Sequence, residues 1–387
     1  MRRVPQVTAG VGLVALLVFT IQSARKALRE QGCDLTCYLD AGALALRGET
    51  PYDTAAYFEY LYSPFFALAI SPLSLLPVAV ASVIWSLLSG WALFFTVRTV
   101  RELAVARGRA FDGRDLVTIA LLAAIGFRIV HANFANGQVN LIVLGLAAAF
   151  VRAALQGKDR TAAVWLTLAV QFKTVPILLL GLLLVRGRWR AIAWTAGLGA
   201  ITSLLPFVVW GSDTVAVYRD WFAMIDYKLR TYTVDMGAFT TDTEGNREYF
   251  TVRGMLATLW PATSANPVAR HGCMAAVFGA TLWLDRRMWT RKLPLATVAA
   301  FCLWLLAALL TSPMSEKHHL AMLLPAAALG LYAAIDGSRR QRIESFAWAA
   351  VVATAMLLSK PFPHGPFFFV AVATSYAWAL RTAAQRF

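Results

Sequence analysis

The sequence predicts an all-α protein that crosses a membrane many times, with room for about ten to twelve helical spans. Three observations predict it. The chain has 387 residues, of which 59% are hydrophobic and only 15% charged, and its mean hydropathy is +0.60. Soluble domains sit near 45–50% apolar and about 25% charged. A soluble enzyme, a disordered chain and a disulfide-rich small domain are therefore excluded. Apolar runs recur along the whole chain, at about 7–24, 64–76, 78–98, 116–131, 138–155, 161–171, 175–186, 190–210, 268–285, 294–312, 318–335, 345–360 and 366–381. Finally, Lys and Arg gather between those runs rather than within them.

The first run lies behind Arg2 and Arg3 and ends at Arg25-Lys26 with no small-residue cleavage site. It reads as a retained helix, not a signal peptide. Basic clusters follow at 98–114, 152–160, 186–190, 286–292, 339–342 and 381–386, where acids are few. Basic loops stay in the cytoplasm, so the net charge of +15 is a topological signal and does not point to nucleic acid. The expected protein is one integral membrane domain, residues 1–387, multi-pass in a plasma or inner membrane, with both termini cytoplasmic.

That assignment constrains the remaining runs. Residues 26–62 face out and Arg98 to Arg114 face in, so 64–76 and 78–98 cannot both cross. The first is short and holds Pro64 and Pro72; it reads as interfacial or re-entrant. The run 161–186 has basic flanks on both sides and too few residues for two spans. Two half-helices meeting near Lys173-Thr174-Val175-Pro176 resolve this, since broken helices are tolerated where they line protein or a wet cavity. A single tilted span is the alternative. Two long outer segments, about 26–77 and about 211–267, carry most of the polar chemistry, so the working face is the outer one. No internal repeat supports transporter symmetry.

Few residues in these segments can carry chemistry. Asp34 lies just beyond the first helix, where partial desolvation raises a carboxyl pKa and suits a general base; a solvated loop acid is the alternative. Asp40, ahead of Ala41 to Leu46, reads as a helix N-cap. Tyr38, Tyr52, Tyr60 and Tyr62 fit interfacial anchors. Asn133, Asn136, Gln138 and Asn140 place four amides at one outer turn, where they cap helix ends or bind sugar hydroxyls. His131 reads as structural. Lys173 lies inside an apolar run; it binds an anion such as a lipid phosphate or snorkels to headgroups. Arg219, Lys228, Arg230 and Arg253 hold a phosphate or form a solvated loop. Ser315, His318 and His319 share the last polar cluster, whose spacing with Glu316 is not that of a helical metal site. Cys33 and Cys37 are at i, i+4, so a disulfide between them stays open.

Taken in order, Asp34-x-x-x-Tyr38, Gly48-x-x-Pro51-Tyr52, Tyr62-x-Pro64, Gly137-Gln138-Val139-Asn140, Lys173-x-x-Pro176 and Ser312-Pro313-x-Ser315-x-x-His318-His319 resemble glycosyltransferase family 87. These are multispanning GT-C-fold enzymes that include mycobacterial mannosyltransferases and arabinofuranosyltransferases. The resemblance runs from about residue 10 to about residue 335. It implies a GT-C-like bundle with juxtamembrane helices in the first outer loop. It also implies inverting transfer of a sugar, mannose ahead of arabinofuranose, from a polyprenyl monophosphate donor to a glycolipid or glycan acceptor at the outer face. Asp34 takes the base role and one of His318 and His319 stands at the site. The chain departs from the usual pattern at Tyr62-Ser63-Pro64, where Tyr-Pro-Pro is common, and at Glu316-Lys317, where an aromatic-acid pair is usual.

On this reading Lys173 and a loop arginine, Arg219, neutralise the leaving phosphate. Tyr38, Tyr62, Asn136, Gln138, Asn140 and Ser315 contact substrate. No cofactor, metal or nucleic acid is expected; the partners are the lipid-linked donor, the acceptor and membrane lipids. The rival reading is a transporter or flippase of a lipid-linked sugar. It requires polar residues through the full membrane depth, whereas here the polar clusters gather at one face.

Overall fold

Long apolar runs become long helices, because at membrane depth only intra-helical hydrogen bonds satisfy the backbone. The computed structural model describes residues 3–29, 32–56, 58–105, 109–238, 267–292, 295–312, 317–335, 339–358 and 370–378. Among these there is no strand. The helices are α1 (Arg3–Ala27), α2 (Asp34–Leu46), α3 (Pro64–Ser74), α4 (Val78–Ala104), α5 (Gly113–Asn136), α6 (Asn140–Leu155), α7 (Asp159–Phe172), α8 (Leu180–Val185), α9 (Trp189–Leu204), α10 (Phe207–Trp210), α11 (Thr214–Ala238), α12 (Pro267–Thr290), α13 (Ala296–Thr311), α14 (Leu324–Ile335), α15 (Arg339–Leu358) and α16 (370–378).

Among the described residues, three stretches are both long and apolar enough to cross a membrane: Val78–Ala104, Gly113–Asn136 and Trp189–Lys228. Large apolar side chains cover their outsides, among them Trp91, Phe94, Phe127 and Val208, as lipid-facing surfaces require. The 11-residue α3 is too short to span ~30 Å of hydrocarbon at 1.5 Å per residue. It packs on α2, and Gly42 makes the approach possible: a Cβ there would lie 2.9 Å from the Cα of Ser71. The two short helices pack as a pair, and of the runs 64–76 and 78–98 only the second lies in a helix long and apolar enough to cross. The expected break within 161–186 is also present. Pro176 has no N–H to offer the carbonyl of Phe172, so α7 stops. Lys173 is extended at φ −157° and ψ 129°, and a 3-10 turn, Val175–Leu179, leads into α8.

Local chemistry sets the helix ends. Asp112 caps α5 through the amide of Arg114, and Gly137 closes it in the left-handed region at φ 63°. Ser63 caps α3 by accepting from the Phe66 amide at 3.2 Å, with Pro64 in the first turn. The helix expected to start after Asp40 starts earlier, at Asp34. The Thr36 hydroxyl accepts from the Cys33 amide at 2.9 Å and fixes Cys33 as the N-cap. Asp40 is thus an exposed mid-helix residue and caps nothing.

The core runs along α13, all of whose residues are buried; α12, α14 and the 3-10 turn Val175–Leu179 pack on it. Burial inside protein is what a helix too short to cross alone requires. α6 packs on α4 and α7, and α1 on α4 and α5. Gly145 lets α4 and α6 touch, since a Cβ there would sit 2.7 Å from the Cβ of Ala92; small residues serve membrane helix contacts in this way. At the basic end, Arg186 turns inward to Asp285 at 2.8 Å, and Trp304 donates to the same carboxylate at 2.9 Å.

Candidate functional site

An aromatic floor forms at the opposite end, where α2, α3 and the first turn of α4 meet. The buried Tyr38 ring lies edge-on to Tyr62, with centroids 4.9 Å apart, and their hydroxyls bond at 2.8 Å. Tyr52 donates to the Tyr62 carbonyl at 2.8 Å. Phe66 packs on both Tyr38 and Phe172. Beside this floor opens a cavity of about 420 Å³ whose lining includes Asp34, Tyr38, Tyr62, Gln138, Lys173 and His319. That volume lies in the range of small-molecule sites.

Asp34 is the first residue of α2, so it faces the positive end of that helix. A turn from a different part of the chain meets it. Gly137 closes α5 and packs against Leu35, and Trp85 donates to the Gly137 carbonyl at 2.8 Å. A Cβ at Gly137 would stand 2.5 Å from the Leu35 Cβ. Gly137→Ala is therefore expected to destabilise the protein by roughly 2–4 kcal/mol, from the left-handed φ and overpacking together. Thermal unfolding in detergent checks this.

A run of hydrogen bonds from Lys173 to Gln138 leads toward that contact. Lys173 donates to the Asn140 side-chain oxygen at 2.7 Å. Asn140 donates to Gln138 at 3.3 Å and to Asn133 at 3.2 Å. Gln138 in turn stands beside the Asp34 carboxylate, where it favours the ionised form. The four amides of this turn thus orient charged groups as well as ending helices. Lys26 donates to Asn136, bringing a second cation near. Burial pushes the Asp34 carboxyl up from its ordinary value, against the opposing pull of Gln138 and of the charges on Lys173 and Lys26.

The far wall is α11. Trp221 donates to the Leu61 carbonyl at 3.1 Å, and Lys228 pairs with Glu59 at 2.7 Å. Lys228 is thus a wall residue instead of a solvated loop cation. The broken end of α7 is pinned as well: Ser63 donates to the Gln171 carbonyl at 2.6 Å, and Gln171 donates to Thr202 at 2.7 Å. These bonds hold Lys173 at the cavity.

The structure therefore gathers Asp34, Tyr38, Tyr62, Asn136, Gln138, Lys173 and His319 around one cavity, with Asn140 directly behind it. His319 sits in a 3-10 turn, Lys317–Leu323. Ser315, the side chain of His318, that of Arg230, and Arg253 lie outside the described residues. Arg219 is not brought in: its side chain is 79% exposed and lies 3.9 Å from Asp220. The helix phase of α11 turns it away while presenting Trp221 and Lys228. Cys33 and Cys37 are free thiols, which answers the disulfide left open. Lys26 and Glu59 were not singled out from sequence. Lys26 reads as the basic flank of a helix, and Glu59 has no motif; their one local signal is position within the aromatic outer segment.

Residues 60–313 match the profile of glycosyltransferase family 87. The chain is 27% identical over 287 residues to the polyprenol-phosphate-mannose-dependent alpha-(1-2)-phosphatidylinositol mannoside mannosyltransferase of Mycobacterium tuberculosis, a match covering 74% of this chain and 61% of that protein. The chain thus spans about three-fifths of the length of that curated relative. Among solved structures it is similar to the crystal structure of ArnT from Cupriavidus metallidurans bound to undecaprenyl phosphate. There the TM-score is 0.42 and the identity 14%, covering 98% of this chain and 77% of that one.

Proposed function

The chain belongs to glycosyltransferase family 87, and from that premise we propose that it moves a sugar from a polyprenyl monophosphate to an acceptor hydroxyl at the outer face of the membrane, with Asp34 as general base. The observation that carries this reading is that Asp34, Gln138 and Lys173 line one cavity, with Lys173 tied to Gln138 through Asn140. It sets a base and a cation in fixed relation, which transfer with a phosphate leaving group requires.

The chemistry follows from those groups. The Asp34 carboxylate takes the proton of the acceptor hydroxyl as that oxygen attacks the anomeric carbon. The bond from that carbon to the phosphate oxygen breaks, and polyprenyl phosphate departs from the opposite face. The configuration inverts. The ammonium of Lys173 has three donors; beyond Asn140 it faces the departing phosphate charge, where a preorganised cation is most effective. Among the described residues two carboxylates line the cavity, and Glu59 is engaged by Lys228. Of those two, Asp34 is the one placed to act as base, and single displacement needs one. His319 and the Tyr38–Tyr62 pair border the sugar. The Lys/Arg bias supports the outward orientation of this end. Mannose is the favoured sugar and arabinofuranose the next; a glycolipid is the favoured acceptor, in keeping with the relative's name.

Purified protein in detergent, given polyprenyl-phosphate-mannose or polyprenyl-phosphate-arabinose with a membrane glycolipid extract, tests this. Free polyprenyl phosphate and sugar-bearing lipid are measured together. Both are expected in the mannose arm. Product in the arabinose arm alone reassigns the sugar, and release in neither arm overturns the transferase reading. Arg219→Ala is expected to leave the donor KM unchanged, because that side chain points away from the cavity.

A further inference from the structure

A second site lies at the other end of α7, separated from Asp34 by the 14 residues of that helix, or ~20 Å at 1.5 Å per residue. Here α7 and α9 begin side by side. A cavity of about 760 Å³ opens between their first turns, lined by Lys158, Arg160, Thr161, Arg190 and Trp194. Three of these are cations. Arg160 lies 4.8 Å over the Trp194 ring, and Asp159, the one acid in the lining, is already tied to Arg188. Among the described residues, the lining therefore presents positive charge with no acid left to neutralise it.

An apolar groove of about 460 Å³ adjoins this cavity and shares Lys158 and Thr161 with it. The groove runs between α4 and α6, past Trp91, Phe95 and Ile142. Trp91 is 62% exposed. Arg152 at the basic end of the groove is held by Glu102 at 3.1 Å, so it borders the groove without adding free charge. The surface has two parts: a hydrocarbon-lined channel along the bundle, and three cations where that channel ends.

We propose that this surface binds an anionic phospholipid of the leaflet on the basic side of the protein. Its phosphate sits among Lys158, Arg160 and Arg190, and an acyl chain lies along the α4–α6 groove. Charge complementarity selects the occupant. A zwitterionic headgroup gains little from three cations, and a soluble phosphate leaves the groove uncovered. Basic pockets between membrane helices recognise anionic lipid headgroups on this principle. The assignment is independent of the transferase reading, since no residue of the Asp34 cavity takes part.

The test uses full-length protein in mixed micelles of phosphatidylcholine with a small fraction of phosphatidylglycerol, and native mass spectrometry to count retained lipids. Wild type is expected to retain phosphatidylglycerol in preference to phosphatidylcholine. The triple variant K158Q/R160Q/R190Q is expected to lose that preference by about a hundredfold at low salt, given the attraction of each cation for an anionic surface. The charge-conserving K158R/R160K/R190K is expected to keep it, which separates loss of charge from loss of fold. Equal retention of both lipids by wild type overturns the proposal. So does unchanged selectivity in the glutamine variant, or displacement of the lipid by millimolar inorganic phosphate.

Discussion

Asp34→Asn is expected to lower turnover by about 10²–10⁴-fold, the range for loss of a positioned general base, while raising the melting temperature. The two effects share one cause. Burial holds the Asp34 carboxyl above its ordinary pKa, so the folded state keeps a proton that the unfolded chain has already released. Stability therefore falls as pH rises from the ordinary carboxylate value to the raised one. Above that window the full cost of a buried charge is present. Asparagine keeps the hydrogen-bonding capacity toward Gln138 and removes that cost. The pair of readouts is donor turnover and thermal unfolding of the same preparation. Loss of activity with a lowered melting temperature indicates a structural carboxylate. Unchanged turnover removes Asp34 from the mechanism. In wild type, the acid limb of kcat/KM is expected above the usual carboxylate range, because the base must be ionised to act.

Lys173→Met is expected to cost about 10²–10³-fold in kcat, the scale for removing one preorganised charge-stabilising donor, and to move the acid limb further up. The direction of that shift follows from the site. The Lys173 ammonium favours the ionised form of Asp34, so its removal makes the carboxyl harder to ionise. The variant also leaves the Asn140 side-chain oxygen without its 2.7 Å partner, which loosens the chain to Gln138. Lys173→Arg is expected to return the limb toward the wild-type position, since it restores charge. Much of the rate stays lost, because a planar fork replaces a point donor. A pH profile that does not move in the methionine variant separates Lys173 from Asp34 and overturns the relay.

Much of this architecture is legible in the chain because a membrane imposes one-dimensional rules. Span length, loop charge and the proline at 176 each act locally. They predict the lone crossing of α4, the short α3 and the break at Lys173 without reference to any partner. The relay is less legible. Gln138 and Asn140 are conspicuous as amides at membrane depth, and Lys173 as a charge inside an apolar run, but nothing local says that they touch. Asp40 shows the limit of a capping rule. A plausible N-cap lost to Cys33 because the Thr36 hydroxyl, one turn into the helix, satisfied an earlier amide.

The sequence by itself determined that the chain is a helical membrane protein with its polar chemistry gathered in a few segments between apolar runs, because hydropathy and charge are properties of each residue. Only the tertiary structure decided which of those residues meet. It turned Arg219 to solvent, brought Lys228 to Glu59, and set Lys173, far along the chain, beside Asp34 together with the nearby Lys26. Such distances depend on the phase of a helix and on close contacts like Gly137 against Leu35 and Gly42 against Ser71. Those contacts are long-range in the chain, and no residue type encodes them alone.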